Sequence, residues 1–533
     1  MANEKGTVSS KPDAIDLSHH LSVLARNRGI SPLKGLHKYF GQPGILNLAG
    51  GLPSPDYFPF NTVKADILVS DSFSTKSTSG TKSPLSWIWS LFSGGQETTA
   101  PISIPKYPVN PEDVNLATAL QYGMARGIPQ LMKVIGEFTA KVYQPGYANY
   151  ATLLHAGNTD GWAKAVTTLC NPGEGVLTSE WTYPSALATM EPHGIRTVPV
   201  SMDGQGMSSV ALRELLSTWD EETRGIPRPR VMYTVPVGQN PTGATMEAQR
   251  KKEIYKVCVE FDVIIVEDDP YYFLQEGPYV HRSQRSSGTE QTELDDERYI
   301  EGLAPSFLRF DYQGRVVRLD SFSKTIAPGS RLGWFTCNPV FAERLERQSE
   351  TSTQGPCGFG QTLITELMIN WQFKGYLRWL KGLAFQYKQR RDFFIDCLVE
   401  KFHMELAPAS ESLFDGSTVY VAYSTRYHSE KAARRILFSF VPPSSGMFIW
   451  LRLHLDNHPK VQEVGQEDLE MKLWIALAEG GLLIGPGNMF AADKTKSAYP
   501  GHFRVSFSNA EHENLKKAVD IFTKVLLEFY ETD

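Results

Sequence analysis

Lys324 lies in Asp320-Ser321-Phe322-Ser323-Lys324-Thr325-Ile326-Ala327-Pro328-Gly329-Ser330-Arg331, with hydroxyls before it and an arginine seven residues after it. A neighbouring cation and burial both lower a lysine's pKa, which suits an amine that attacks a carbonyl to form a Schiff base. The two serines and the arginine beside it make a cradle for a phosphate. Three further clusters carry polar groups of this kind. In Gly157-Asn158-Thr159-Asp160-Gly161 a polar turn opens a helical pattern, so the free amides of the helix start form an anion site; alone, the segment reads more readily as a simple capped turn. In Gly238-Gln239-Asn240-Pro241-Thr242-Gly243 the proline favours extended backbone at Asn240 and can hold its side chain forward, although a plain turn is the simpler reading. Glu267-Asp268-Asp269-Pro270-Tyr271-Tyr272 ends an apolar run in consecutive carboxylates, which calls for a cation against one of them. The Tyr271 phenol can reach the same ligand as Asp268. Metal binding competes here, without the His or Glu spacing that would support it.

The elements around these clusters alternate between strand and helix. Val231-Met232-Tyr233-Thr234-Val235 is a short β-branched run ending at Pro236. Ile254, Val257, Cys258 and Phe261 then fall on one helical face, with Thr245 as the expected N-cap. Val263 to Val266 is a wholly apolar strand that runs into the acidic cluster. Strand, helix, strand in this order is a crossover unit of a parallel sheet, and ligands bind where such strands end. Arg315 to Leu319 and Leu332 to Thr336 add strands, and Tyr376 to Phe402 is a long helical pattern. Met447 to Leu453 and Phe503 to Ser508 belong to a smaller α+β region. The expectation is an α/β chain: an N-terminal arm and part of the small domain over 1–49, a large domain with a mostly parallel sheet over 50–375, and a C-terminal small domain over 376–533. Residues 70–105 and 277–300 read as insertions that form surface excursions. In the first, the island Trp87–Phe92 suits a plug on the body or on a subunit interface.

The chain has 533 residues, with 53 Lys and Arg against 59 Asp and Glu, a net charge of −6. That balance leaves no electrostatic footprint for nucleic acid or an anionic membrane, so small molecules are the expected partners. The N-terminus has neither the apolar core of a signal peptide nor the Arg-rich composition of a transit peptide, and no apolar run reaches the ~18 residues of a membrane span. Five scattered cysteines argue against a disulfide framework or a zinc site; buried thiols in a reducing cytoplasm are expected, and no metal.

Taken together, Ser321-Phe322-Ser323-Lys324 with Arg331, and the N-P-T-G of Asn240 and the D-x-x-Y of Asp268 upstream, resemble the class I pyridoxal-phosphate aminotransferases, which have fold type I. Asn47-Leu48-Ala49-Gly50-Gly51-Leu52-Pro53 and Glu267 to Gln275 are similar to the kynurenine/2-aminoadipate and fungal aromatic branch. The resemblance implies pyridoxal 5′-phosphate as cofactor, with Lys324 as its anchor and as the acid/base of catalysis. It implies Asp268 at the pyridine nitrogen, Asn240 and Tyr271 at the 3-oxygen, and Tyr183 stacked on the ring. The phosphate is expected against Asn158, Thr159, Ser321, Ser323 and Arg331, with Tyr122 reaching over from the second subunit of a homodimer. Arg504 would grip the substrate α-carboxylate, Asn240 would border the substrate too, and Gly51 would let the N-terminal segment close without a side chain intervening. Lys34 stands where aminoadipate-type relatives carry an arginine for a distal carboxylate, and Gly157 to Gly161 departs from the Gly-Ser-Gln-Gln-Gly common in the family. The implied reaction moves the amino group of an aromatic amino acid, 2-aminoadipate or kynurenine to 2-oxoglutarate by a ping-pong route. Decarboxylation, elimination or racemisation on the same fold is the rival chemistry. An amino-acid sensor is the rival from another class, and the short arm leaves no room for its DNA-binding helices.

Overall fold

The computed structural model describes residues 11–31, 39, 42–46, 48–49, 51–75, 98–285, 295–409, 412–424, 435–494 and 500–531. Its large sheet is built from β1 (Ala151–His155), β2 (Gly175–Ser179), β3 (Arg196–Val200), β4 (Val231–Thr234), β5 (Ile264–Asp268), β6 (Val316–Ser321) and β7 (Gly333–Cys337). They lie in the order β1-β7-β6-β5-β4-β2-β3; β7 runs antiparallel to both neighbours and the other pairings are parallel. β4 and β5 are buried at every position, which is why Val231 to Tyr233 and Ile264 to Val266 are apolar without alternation. Crossover helices pack on the faces, among them α1 (Asn158–Leu169), α2 (Pro184–Met190) and α3 (Ala248–Glu260).

Thr245 does not cap α3. Glu247 precedes the helix without a side-chain cap, and Thr245 Oγ1 accepts the Gly238 N–H at 3.0 Å, tightening the turn around Asn240. The long helical pattern is longer than expected: α4 spans Gly358–Lys401 and is broken at Gln372, where φ is 56°. Beyond it, β8 (His403–Pro408), β9 (Thr418–Tyr423), β10 (Ile436–Phe440), β11 (Phe448–Leu453), β12 (Gly485–Pro486) and β13 (His502–Ser506) form an antiparallel sheet in the order β8-β9-β10-β11-β13-β12. The last helix, α5 (His512–Glu531), and the end of α4 share its core: Phe394, Ile395 and Leu398 pack with Phe438, Phe503 and Phe522.

Neither excursion is surface chain throughout. Thr99–Pro105 pairs antiparallel with Thr62–Leu68 and buries Ile102 and Ile104. Asp295 caps a helix over Asp296–Gly302, and Arg285 forks onto Asp396 at 2.7 and 2.9 Å. Trp87–Phe92 lies outside the described residues. The N-terminal arm is docked between Pro12 and Arg28, burying Leu17, Leu21 and Ala25 against the large sheet's helices. Its His19 and His20 meet Asp262 at 2.8 and 3.0 Å. Four of the five cysteines are buried as expected, but Cys357 is exposed. Among the described residues no helix is long and apolar enough to cross a membrane.

Candidate active site

The strand ends of the large sheet converge where β13 of the small sheet faces them. His155 and Ser321, the last residues of β1 and β6, both sit opposite Gly333, and Leu319 sits beside Asp268. A cavity of about 410 Å³ opens there. Asn158, Thr159, Tyr183, Asn240 and Asp268 line it from one side. Tyr271, Ser321, Ser323, Lys324, Arg331 and Arg504 complete the wall.

Lys324 is carried on a turn fixed at both flanks. Phe322 is fully buried, and its carbonyl accepts the N–H groups of Thr325, Ile326 and Ala327. Thr325 is tied to α4, its hydroxyl to Tyr376 at 3.2 Å and its carbonyl to the Trp379 indole at 2.8 Å. Between these anchors Ser323 and Lys324 are presented to the cavity, as is Ser321 just before them. Burial, with Arg504 and Arg331 nearby, pulls the Lys324 amine below the ordinary lysine range, as its company in the sequence suggested.

At one end of the cavity Ser321 Oγ donates to Ser323 Oγ at 2.8 Å and accepts the Ser323 N–H at 3.0 Å. Arg331 adopts a left-handed backbone conformation and places Nη2 on the Ala156 carbonyl at 2.8 Å. Gly157 is required beside it: its φ is +89°, and a Cβ there would run into the Arg331 guanidinium. Because Gly157 offers no capping side chain, no side chain among the described residues caps the start of α1, and its first N–H groups can face an anion.

At the cavity floor Asp268 accepts Tyr233 Oη on one oxygen and Asn158 Nδ2 on the other, each at 2.6 Å. Burial raises its pKa, while these two bonds oppose the rise. Strand alternation sends Glu267 and Asp269 to the opposite face, where fully buried Arg318 meets them at 3.1 and 3.0 Å and Asp320 at 2.9 Å. This is the cation the acidic run called for. Its guanidinium also lies 4.0 Å from the centre of the Tyr143 ring.

Arg504 projects from β13 between the rings of Phe448 and Phe490, at 4.5 and 4.7 Å, and donates Nη1 to Asn240 Oδ1 at 2.8 Å. Its Nε is buried without a partner among the described residues. The remainder of the fork has the geometry to take a carboxylate.

Two candidates are not brought into the cavity. Tyr122 is 59% exposed and does not line it. Gly51 is also outside, and a Cβ added to it would meet nothing within 4 Å. Lys34 lies outside the described residues. Conversely, Trp162, Tyr233 and Phe448 line the cavity without having been singled out. In sequence Tyr233 and Phe448 look like core residues of apolar strands; the one available signal was a phenol within a mostly apolar strand, seven residues before Asn240.

The sequence profile of the family described as aminotransferase class I and II matches residues 112–522. An aromatic amino acid aminotransferase of Schizosaccharomyces pombe is 34% identical over 519 residues, covering 96% of this chain and 98% of its own. An L-tyrosine:2-oxoglutarate aminotransferase of Tapinella panuoides is 31% identical over 562 residues, with 97% of each chain covered. Among solved structures, an aminotransferase of Candida albicans superposes with a TM-score of 0.81 at 34% identity, over 98% of this chain and 100% of its own.

Proposed function

The chain belongs to the class I and II aminotransferase family and is a transaminase, and from that premise we propose that it moves the amino group of an aromatic amino acid, or of 2-aminoadipate or kynurenine, to 2-oxoglutarate with pyridoxal 5′-phosphate as cofactor. The observation that carries this reading is the convergence on one cavity of a lysine with a lowered pKa, a buried carboxylate held by two donors, and an arginine fork.

The residues fit the cofactor. The serine pair, Arg331 and the uncapped start of α1 suit its phosphate, and the missing Cβ of Gly157 lets the Arg331 guanidinium lie against that turn. When bound, the cofactor supplies an aldehyde that takes up the amino group and a ring that withdraws electrons from the substrate Cα. Asp268 would accept the ring N–H and keep that nitrogen protonated. Asn240 and Tyr271 would bond the 3-oxygen, and Tyr183 would stack on the ring. Arg504 would hold the substrate α-carboxylate and so orient the Cα–H bond. Lys324, as the free amine that burial favours, would lift the proton from Cα and return it at C4′. In the second half-reaction the same residues would act on 2-oxoglutarate, whose α-carboxylate takes the same fork.

The active unit would be a homodimer. The position of Tyr122 supports this: it faces outward, and Gln121 ties its segment to that of Gly51 through the Pro53 carbonyl at 2.7 Å. Tyr57 and Val109 are further exposed apolar side chains. The free cysteines fit a reducing compartment such as the cytoplasm. Borohydride reduction of the cofactor-loaded protein, followed by peptide mapping, tests the assignment. The adduct should fall on Lys324, and an adduct on any other lysine refutes it.

A further inference from the structure

Asn158 stands in the turn expected to hold the phosphate, yet its side chain is engaged elsewhere. Its Nδ2 donates to Asp268 Oδ1 at 2.6 Å and to the Leu319 carbonyl at 3.1 Å. A backbone carbonyl can only accept, so Leu319 dictates which end of the amide faces inward. Turned over, the amide would set Oδ1 against two acceptors. In the observed orientation Oδ1 is buried without a partner among the described residues, so the amide's placement serves its nitrogen. Tyr233 supplies the second donor at 2.6 Å, and its ring lies 4.6 Å from that of Trp162. A donor on each oxygen favours the charged carboxylate against the opposing pull of burial.

We propose that the Asn158 side chain is a positioning residue for Asp268 and not a phosphate ligand: together with Tyr233 it keeps the Asp268 carboxylate an acceptor aimed at the ring nitrogen of the cofactor. The inference rests on the proposed cofactor and concerns the side chain alone. The main-chain N–H groups of the turn stay with the phosphate.

The test separates ring nitrogen from phosphate by ligand. Full-length protein stripped of cofactor is titrated with pyridoxal 5′-phosphate, with its analogue carrying C–H in place of the ring nitrogen, and with pyridoxal lacking the phosphate. Wild type, Asn158→Leu, Asn158→Ser and Tyr233→Phe are compared, with circular dichroism confirming the fold. Loss of a hydrogen bond to a charged group predicts that each variant binds pyridoxal phosphate and pyridoxal about 10- to 150-fold more weakly. The C–H analogue should change by less than about threefold, because it makes no bond to Asp268. Tyr233→Phe keeps the inference testable should both Asn158 variants misfold. Weaker binding of both phosphorylated ligands with pyridoxal unaffected, or full recovery in Asn158→Ser, would overturn it in favour of a phosphate contact. Unchanged binding of all three ligands would overturn it as well. Failure of the wild-type protein to bind pyridoxal phosphate would instead refute the cofactor reading on which it stands.

Discussion

Arg504 offers the sharpest quantitative expectation. One of its donors is committed to Asn240 at 2.8 Å, and the guanidinium plane is held between Phe448 and Phe490 at 4.5 and 4.7 Å. The fork is therefore oriented before substrate arrives, and little ordering entropy is left to lose. Arg504→Lys keeps the charge but loses one of two charge-assisted bonds and frees Asn240. At about 1.5–3 kcal/mol per bond, kcat/KM should fall roughly 10- to 150-fold. Arg504→Ala removes both bonds, about 3–6 kcal/mol, or roughly 10²- to 10⁴-fold. The assay is the single-turnover half-reaction with phenylalanine, tyrosine and 2-aminoadipate, monitored by the absorbance change of the cofactor. All three donors should fall by the same factor, because the α-carboxylate is common to them. Phenethylamine, which lacks that carboxylate, should react slowly but equally with wild type and variant. A comparable drop with phenethylamine would show that Arg504 acts through the fold or the cofactor, and the carboxylate argument would fail.

Other expectations concern the site's surroundings. Lys34→Ala should depress turnover of 2-aminoadipate about 10- to 150-fold while leaving phenylalanine nearly unchanged in half-reactions; equal losses would make Lys34 a plain surface residue. Tyr122→Phe mixed with Lys324→Ala should give hybrid dimers with one intact site, and an active monomer would contradict the shared site. Burial, with Glu267 alongside, raises the Asp269 carboxyl to about 7 despite Arg318. Between the unfolded value and that figure the folded state holds a proton the unfolded chain has lost, so stability should fall as pH rises from about 4 to about 7, by at most ~1.4 kcal/mol per pH unit. Asp269→Asn should flatten this slope in denaturant unfolding across that range, and an unchanged slope would place the titration elsewhere. Arg318→Met should cost about 3–5 kcal/mol near pH 8, because it strands three buried carboxylates, and less near pH 5.

The positions of Lys324, Asp268 and Asn240 were legible because a buried parallel strand reads as an unbroken apolar run, and the residues just past its end face a ligand. The same uniformity concealed Tyr233, which counts as one more core residue until its hydroxyl is seen on Asp268. The acidic run announced that a cation was needed, but Arg318 could be matched to it only through the register that sets it opposite Glu267. Phe448 and Phe490 were out of reach for another reason. Their meeting with Arg504 depends on how strands and loops of the small sheet are paired, which local pattern does not encode. Thr245 failed as a cap because the N–H of Gly238, seven residues earlier across a polar turn, competed for its hydroxyl.

The helix α4 couples two parts of the molecule that the sequence presents as separate. Near its middle Tyr376 and Trp379 grip Thr325, the residue after Lys324; further on Phe394 and Leu398 are embedded beneath the antiparallel sheet. Fifteen residues of helix, about 22 Å, join the two attachments. A rigid rod clamped at both ends works as a lever. Any tilt of the small sheet toward a bound amino acid must either bend the helix between 380 and 393 or drive the lysine's own turn. Arg504 rides on the sheet and Lys324 on the turn, so beside the direct Arg504–Asn240 bond the stiffness of this helix is a second route by which the spacing of the two side chains is held. Glycine pairs introduced between 380 and 393 would loosen that gearing without touching either group.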